Sequence, residues 1–267
     1  METVTNRRYL CDGALVLVVA ALLVLGPQAR AAQLAHESFT PSFPIYANGG
    51  TGFAGPWRQG GFNAFASGYV PLDRSLCNAR LRSEGGSVSG AAFEAINGAI
   101  RDLAQPLGAG TVYMSFLIQP QGTLHAGIFN GFFGLTLNGS LGNDLFIGKP
   151  GGGALAQYVL EHRGGFGQVL SNGSTTTGRT TLLVLKAEFL PGNDLFTLYV
   201  DPAVGKTEPA SGAVKADLDL GTVSRIGIYS TGAFAVDEIR IATSYAEVLP
   251  TGDAPSNGSP GCLVDPH

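Results

Sequence analysis

Short apolar or alternating runs recur along the chain at 111–118, 129–137, 144–147, 155–160, 181–189, 195–200, 223–229 and 234–241, separated by clusters of Gly, Asn, Pro and Asp. Each run has the length of a strand, and the turn-forming residues between them predict antiparallel hairpins. Over 111–118 the β-branched and aromatic residues are dense, and a period of two puts Val112, Met114, Phe116 and Ile118 on one face, the expected core face. The run 234–241 alternates until Asp237-Glu238 breaks it. Between 91 and 103, Ala92, Ile96, Ala99 and Leu103 fall at helical spacing. Asn97-Gly98 in their middle is a turn signal, so a short helical turn followed by a strand over 99–103 is predicted there. Gly-Asn-Asp-Leu-Phe occurs at 142–146 and again at 192–196, but the flanking residues do not match. Two independent hairpin turns explain this without an internal repeat.

Composition sharpens the class. Glycine supplies 39 of 267 residues, about twice its usual share, while 45% apolar residues are enough for a core. Many tight turns between apolar runs point to an antiparallel all-β fold. Residues 1–31 read as an export signal: Arg7 and Arg8, an apolar run over 13–26, then Ala29-Arg30-Ala31 as a small-x-small cleavage site. An uncleaved anchor would need about 20 apolar residues, and this run is shorter. The mature part then spans 32–267, with 13 basic residues (16 less Arg7, Arg8 and Arg30) against 18 acidic (20 less Glu2 and Asp12). No basic cluster matches a row of phosphates, so neither nucleic acid nor an anionic membrane is an expected partner. The residues divide into a leader (1–31), one sandwich domain (32–249) and a polar, disordered tail (250–267). The expected location is secreted, periplasmic or in the cell envelope. Cys77 and Cys262 survive processing, and an oxidising compartment permits a bridge between them, but two separate thiols or an intermolecular bridge stay open.

Several stretches in order resemble secreted bacterial proteins with a concanavalin A-like or laminin G-like domain. They are Glu37-Ser38-Phe39, the glycine-rich 49–57 ending in Pro56-Trp57, and segments 110–117, 145–150, 181–185 and 236–245. The resemblance spans nearly the whole mature chain and implies two antiparallel sheets face to face, a jelly-roll sandwich with its first and last strands adjacent. The C-terminal sorting segment common in such chains, an apolar helix followed by arginines, is not seen after Leu249, so display by that route is not expected. Related modules often hold one structural calcium where the first and last strands meet. By that resemblance Glu37 and Asp237 are the metal-binding candidates, since calcium takes hard oxygen ligands. The competing reading is a surface carboxylate at Glu37 and an acid at Asp237 paired with an arginine such as Arg240.

For a sugar ligand, aromatic platforms with a few polar groups are needed, which singles out Trp57, Tyr158, His162 and Arg163. Trp57 competes with a simpler role as a hydrophobic plug over the sandwich. Hydrolysis of a glycosidic bond needs two carboxyl groups flanking it. Asp237 and Glu238 are consecutive and point to opposite faces of a strand, so they cannot form that pair. Glu161-His162-Arg163 is the densest polar trio and suits an acid, a base and a charge stabiliser, against the plainer reading of a solvated strand end. The expected function is therefore a non-catalytic module outside the cytoplasm that binds carbohydrate or a surface polymer. A polysaccharide hydrolase or lyase, or a structural envelope component, are the alternatives.

Overall fold

The computed structural model describes residues 32–40, 48–60, 67–78, 80–92, 95–121, 131–151, 156–252 and 262–263. The expected leader and nearly all of the expected tail lie outside them. In chain order the strands are β1 (Gln33–Glu37), β2 (Arg58–Gln59), β3 (Tyr69–Leu72), β4 (Ser75–Leu76), β5 (Ser87–Gly90) and β6 (Asn97–Leu107). Then come β7 (Gly110–Pro120), β8 (Phe133–Gly139), β9 (Asp144–Lys149), β10 (Gln157–His162), β11 (Phe166–Ser174) and β12 (Thr181–Phe189). The last are β13 (Asp194–Val200), β14 (Ala213–Leu218), β15 (Val223–Ser230), β16 (Phe234–Ala242) and β17 (Cys262–Leu263). The described residues contain no helix. The segment 91–103 enters β6 already at Asn97, whose side chain closes the preceding turn by bonding both the N–H and the C=O of Ala92 (2.8 and 2.6 Å).

Two antiparallel sheets form the sandwich. The first runs β14-β13-β12-β7-β16-β5-β3, with β1 also pairing with β16, and the second runs β11-β10-β9-β8-β15-β6-β2. Adjacency of β1 and β16, the first and last strands of the two large sheets, is the closure expected of a jelly roll. Val112, Met114, Phe116 and Ile118 of β7 face the core with Leu183 and Leu185 of β12, opposed by Leu135, Leu145, Ile147, Ile226 and Ile228 of the second sheet. At roughly 1.5–3 kcal/mol for each fully buried aliphatic or aromatic side chain, this layer supplies the main drive to fold.

The first sheet is buried on its other face as well. Tyr113, Leu117, Leu182, Val184 and Tyr199 pack there beneath Tyr245, Val248 and Leu249 from the chain following β16. A strand covered on both sides needs apolar residues at odd and even positions alike, which is why 111–118 and 181–185 read as continuous apolar runs. Strands of the second sheet instead place Gly, Thr, Asn and Glu between their core residues, and it is the outer face of this sheet that carries the site.

The break at Asp237-Glu238 is a β-bulge. Asp237 pairs with Leu117 and Arg240 with Ser115, three steps on β16 against two on β7, and Glu238 takes up the extra residue at φ 53°. Near the chain's end, Cys262–Leu263 pairs in parallel with Ser75–Leu76, and the adjoining Cys77 is disulfide-bonded.

Candidate functional site

Strand register builds the outer face of the second sheet as three cross-strand rows. In the first, Gly98, Tyr229, Gly134, Gly148 and Val159 lie side by side from β6 to β10. The second holds Ile100, Gly227, Thr136, Phe146 and Glu161. Asp102, Arg225, Asn138 and Asp144 form the third, continued by Arg163, whose N–H bonds the Asp144 carbonyl at 2.9 Å.

The glycines let two rings lie flat. A Cβ on Gly134 would sit 2.7 Å from Cζ of Phe146, and one on Gly227 would sit 2.5 Å from Cε2 of Tyr229. Any side chain at either position would lift the ring above it off the sheet. Phe146 and Tyr229 thus form the floor of a cleft of about 570 Å³, walled by Phe132, Glu161, Arg163 and Gln168.

Glu161 is 4% exposed and accepts a hydrogen bond from Gln168 Nε2 at 2.6 Å. Burial pushes its carboxyl above the usual range, although the Gln168 bond and the Lys215 charge pull the other way. The other carboxylates of this face are tied to arginines. Asp144 holds Arg163 at 2.6 Å, and Asp102 lies between Arg58 (2.7 Å) and Arg225 (2.8 Å). The Arg58 bond, followed by Arg225, keeps Asp102 below the ordinary carboxylate range. Phe146 and Tyr229 are themselves only 4 and 1% exposed, so they back the cleft rather than offer a stacking face, and the converging carboxyl, amide and guanidinium are the groups that can bond a sugar's hydroxyls.

Of the four sugar-binding candidates, only Arg163 lines this cleft. His162 lies between Glu161 and Arg163 in sequence, so it turns to the other side of the strand, toward Gly167 and the charge of Asp217. Tyr158 is fully buried, and its ring meets Phe133 edge-on at 6.4 Å. Trp57 is 1% exposed and packs against Phe39 with ring centroids 6.0 Å apart. Neither ring offers a surface to a sugar, and Trp57 fills the plug role instead. Phe146, Gln168 and Tyr229 carry no signal in any single run of sequence. The visible hint is glycine at outward positions inside otherwise well-formed strands.

Glu37 and Asp237 do not fit a shared calcium ion. Glu37 points into the sandwich, where it meets Arg101 and accepts bonds from Trp57 Nε1 at 3.1 Å and the Phe39 N–H at 2.9 Å. Asp237 points out of the opposite face of the same sheet and accepts the N–H groups of Leu76 (2.9 Å) and Glu238 (2.7 Å). Burial, then the neighbouring Glu238, raises the Asp237 carboxyl well above its ordinary value. A carboxylate saturated by N–H donors, beside a guanidinium in the case of Glu37, is a poor ligand for a cation. Arg240, the partner weighed for Asp237, is bonded at 2.5 Å to Glu238 instead. Among the described residues no group of three or more His, Cys, Asp or Glu is placed to hold a metal.

No protein-family model and no curated protein sequence matches the chain. Solved structures do. The globular domain of T. cruzi calreticulin superposes at a TM-score of 0.51 with 10% identity, covering 81% of this chain and 90% of that one. An endo-1,3-beta-glucanase from Streptomyces sioyaensis gives 0.48 with 10% identity over 81% and 98%. The calcium-bound exoplasmic/lumenal domain of VIP36 gives 0.45 with 11% identity over 78% and 90%. At such identities the likeness is one of fold: this chain is a concanavalin A-like, two-sheet jelly-roll sandwich.

Proposed function

We propose that the chain is a non-catalytic carbohydrate-binding module, exported from the cytoplasm, which takes a glycan or similar surface polymer into the cleft over β8, β9, β10 and β15. The observation that carries this reading is the convergence of Glu161, Gln168 and Arg163 around a floor of Phe146 and Tyr229. Glycines under the rings and the Gln168–Glu161 and Arg163–Asp144 bonds hold both in place before any ligand arrives, which lowers the cost of binding. A glycan-binding screen with the mature protein tests it. Binding weakened by Arg163→Ala and by Gln168→Ala supports the cleft, and no retained glycan removes the reading in favour of a structural envelope component.

One observation favours a second reading, polysaccharide cleavage: a buried carboxyl with a raised pKa in a cleft is suited to general acid chemistry. Incubation with plant and algal polysaccharides, assayed for new reducing ends or unsaturated products, separates the two. Turnover abolished by Glu161→Gln would establish the enzyme, and binding without turnover retires it. N-terminal sequencing of exported protein starting at Ala32 would support the leader.

A further inference from the structure

A second groove lies on other residues altogether. It consists of two adjoining hollows of about 590 and 580 Å³ that share Arg179, Asp201 and Pro202 as a common wall. One is bounded by the end of β11 and the start of β14, with Ser171, Asn172 and Ser211 among its polar groups. The other lies between Asn78, Arg80 and Lys206.

Charge distinguishes this groove. Among the described residues three cations, Arg80, Arg179 and Lys206, line it with Asp201 as the sole carboxylate, on a chain whose net charge is −4. Asp201 is committed to the scaffold: its Oδ1 accepts the Leu182 N–H at 2.8 Å and its Oδ2 holds Arg179 at 2.6 Å. Arg80 and Lys206 are exposed and have no carboxylate partner among the described residues, whereas Arg58, Arg163 and Arg225 on the cleft face are each held by one. Unpaired cations collected in a concavity raise the local concentration of anions. A guanidinium anchored from one side keeps its remaining N–H groups for a second oxyanion.

We infer that this groove binds an acidic oligosaccharide, with a carboxylate or sulfate seated among Arg80, Arg179 and Lys206 and neighbouring sugar units in the two hollows. An isolated anion would need only the cationic pocket, whereas a chain uses the hollows on both sides of Arg179. That the ligand is a saccharide rests on the function proposed above; that it is anionic rests on the groove.

The experiment is calorimetric titration of the mature protein with oligogalacturonate, a sulfated oligosaccharide, a neutral oligosaccharide of equal length and inorganic sulfate. Wild type, the R80A/K206A double variant, Asp201→Asn and the cleft variant Arg163→Ala are compared. Because Arg80 and Lys206 are exposed and have no ion-pair partner among the described residues, their removal should leave the melting temperature unchanged. The expected result is binding of at least one anionic oligosaccharide, weakened about fivefold or more in R80A/K206A. It should also be weakened by added salt, tightened by Asp201→Asn, which frees Arg179, and unaffected by Arg163→Ala. The carboxylate and sulfate arms identify which oxyanion is taken. No anionic ligand bound, affinity unchanged in R80A/K206A, or sulfate alone binding as tightly as the oligosaccharides would overturn the inference. Loss through Arg163→Ala instead would move the acidic ligand to the cleft and leave the proposed function standing.

Discussion

Glu37→Gln should be among the most damaging single substitutions in the chain. The side chains of Arg101 and Glu37 are only 1 and 6% exposed, and they join the two sheets from the inside. The guanidinium also bonds the carbonyls of Gly55 (2.8 Å) and Gly49 and Asn48 Oδ1 (3.0 Å), and it lies over the Phe53 ring at 3.9 Å. Desolvation pulls the Arg101 pKa down while Glu37 holds it up, so neutralising Glu37 leaves a buried cation uncompensated. Breaking such a pair costs about 3–5 kcal/mol, which for a domain of this size lowers the melting temperature by about 6–20 °C. Trp57, the single tryptophan, donates to the same carboxylate and is a built-in reporter, so unfolding can be followed by its emission. The double variant Glu37→Gln, Arg101→Met should recover much of the loss, because a buried apolar side chain replaces the orphaned charge. A drop below about 2 °C in Glu37→Gln, too small for a lost buried pair, would refute this reasoning, as would a double variant as unstable as the sum of the singles.

Four further outcomes are expected. Gly134→Ala should cost about 1–3 kcal/mol in denaturant unfolding, because its Cβ would crowd the Ile147 carbonyl as well as the Phe146 ring, and should weaken glycan binding as well. The Glu161 carboxyl is raised above its ordinary 4.5. Between that value and the raised one the folded chain keeps a proton that the unfolded chain has released, so stability falls as pH rises through this window; urea midpoints against pH should show a flatter profile in Glu161→Gln. A chelator should leave the melting midpoint unchanged, and a clear drop would restore a calcium site. Peptide mapping without reductant should recover Cys77 linked to Cys262, whose backbone runs beside Ser75–Leu76.

What was legible in the sequence is what alternation records. The even positions of 111–118 read as core, and they are core, because one face of β7 meets the other sheet. The trio 161–163 was visible, but period two sends His162 away from its neighbours. The rest depends on pairings between distant residues. Glu37 finds Arg101 64 positions away, and its reading as a calcium ligand or a surface carboxylate holds no hint of that partner until the sandwich encloses both. Asp237-Glu238 disturbed the pattern for a reason that lies in β7, where one residue fewer is available. The cleft was hidden most thoroughly, because it is made by glycines at outward positions of neighbouring strands and by rings that borrow their space.

The most direct test of the proposed site is amide chemical-shift mapping of the mature protein during titration with a glycan recovered from the screen. Perturbations concentrated at Phe146, Glu161, Gln168 and Tyr229, and absent in Arg163→Ala, are the expected result. A glycan that binds while leaving these amides unmoved would contradict the assignment of the ligand to the outer face of the second sheet.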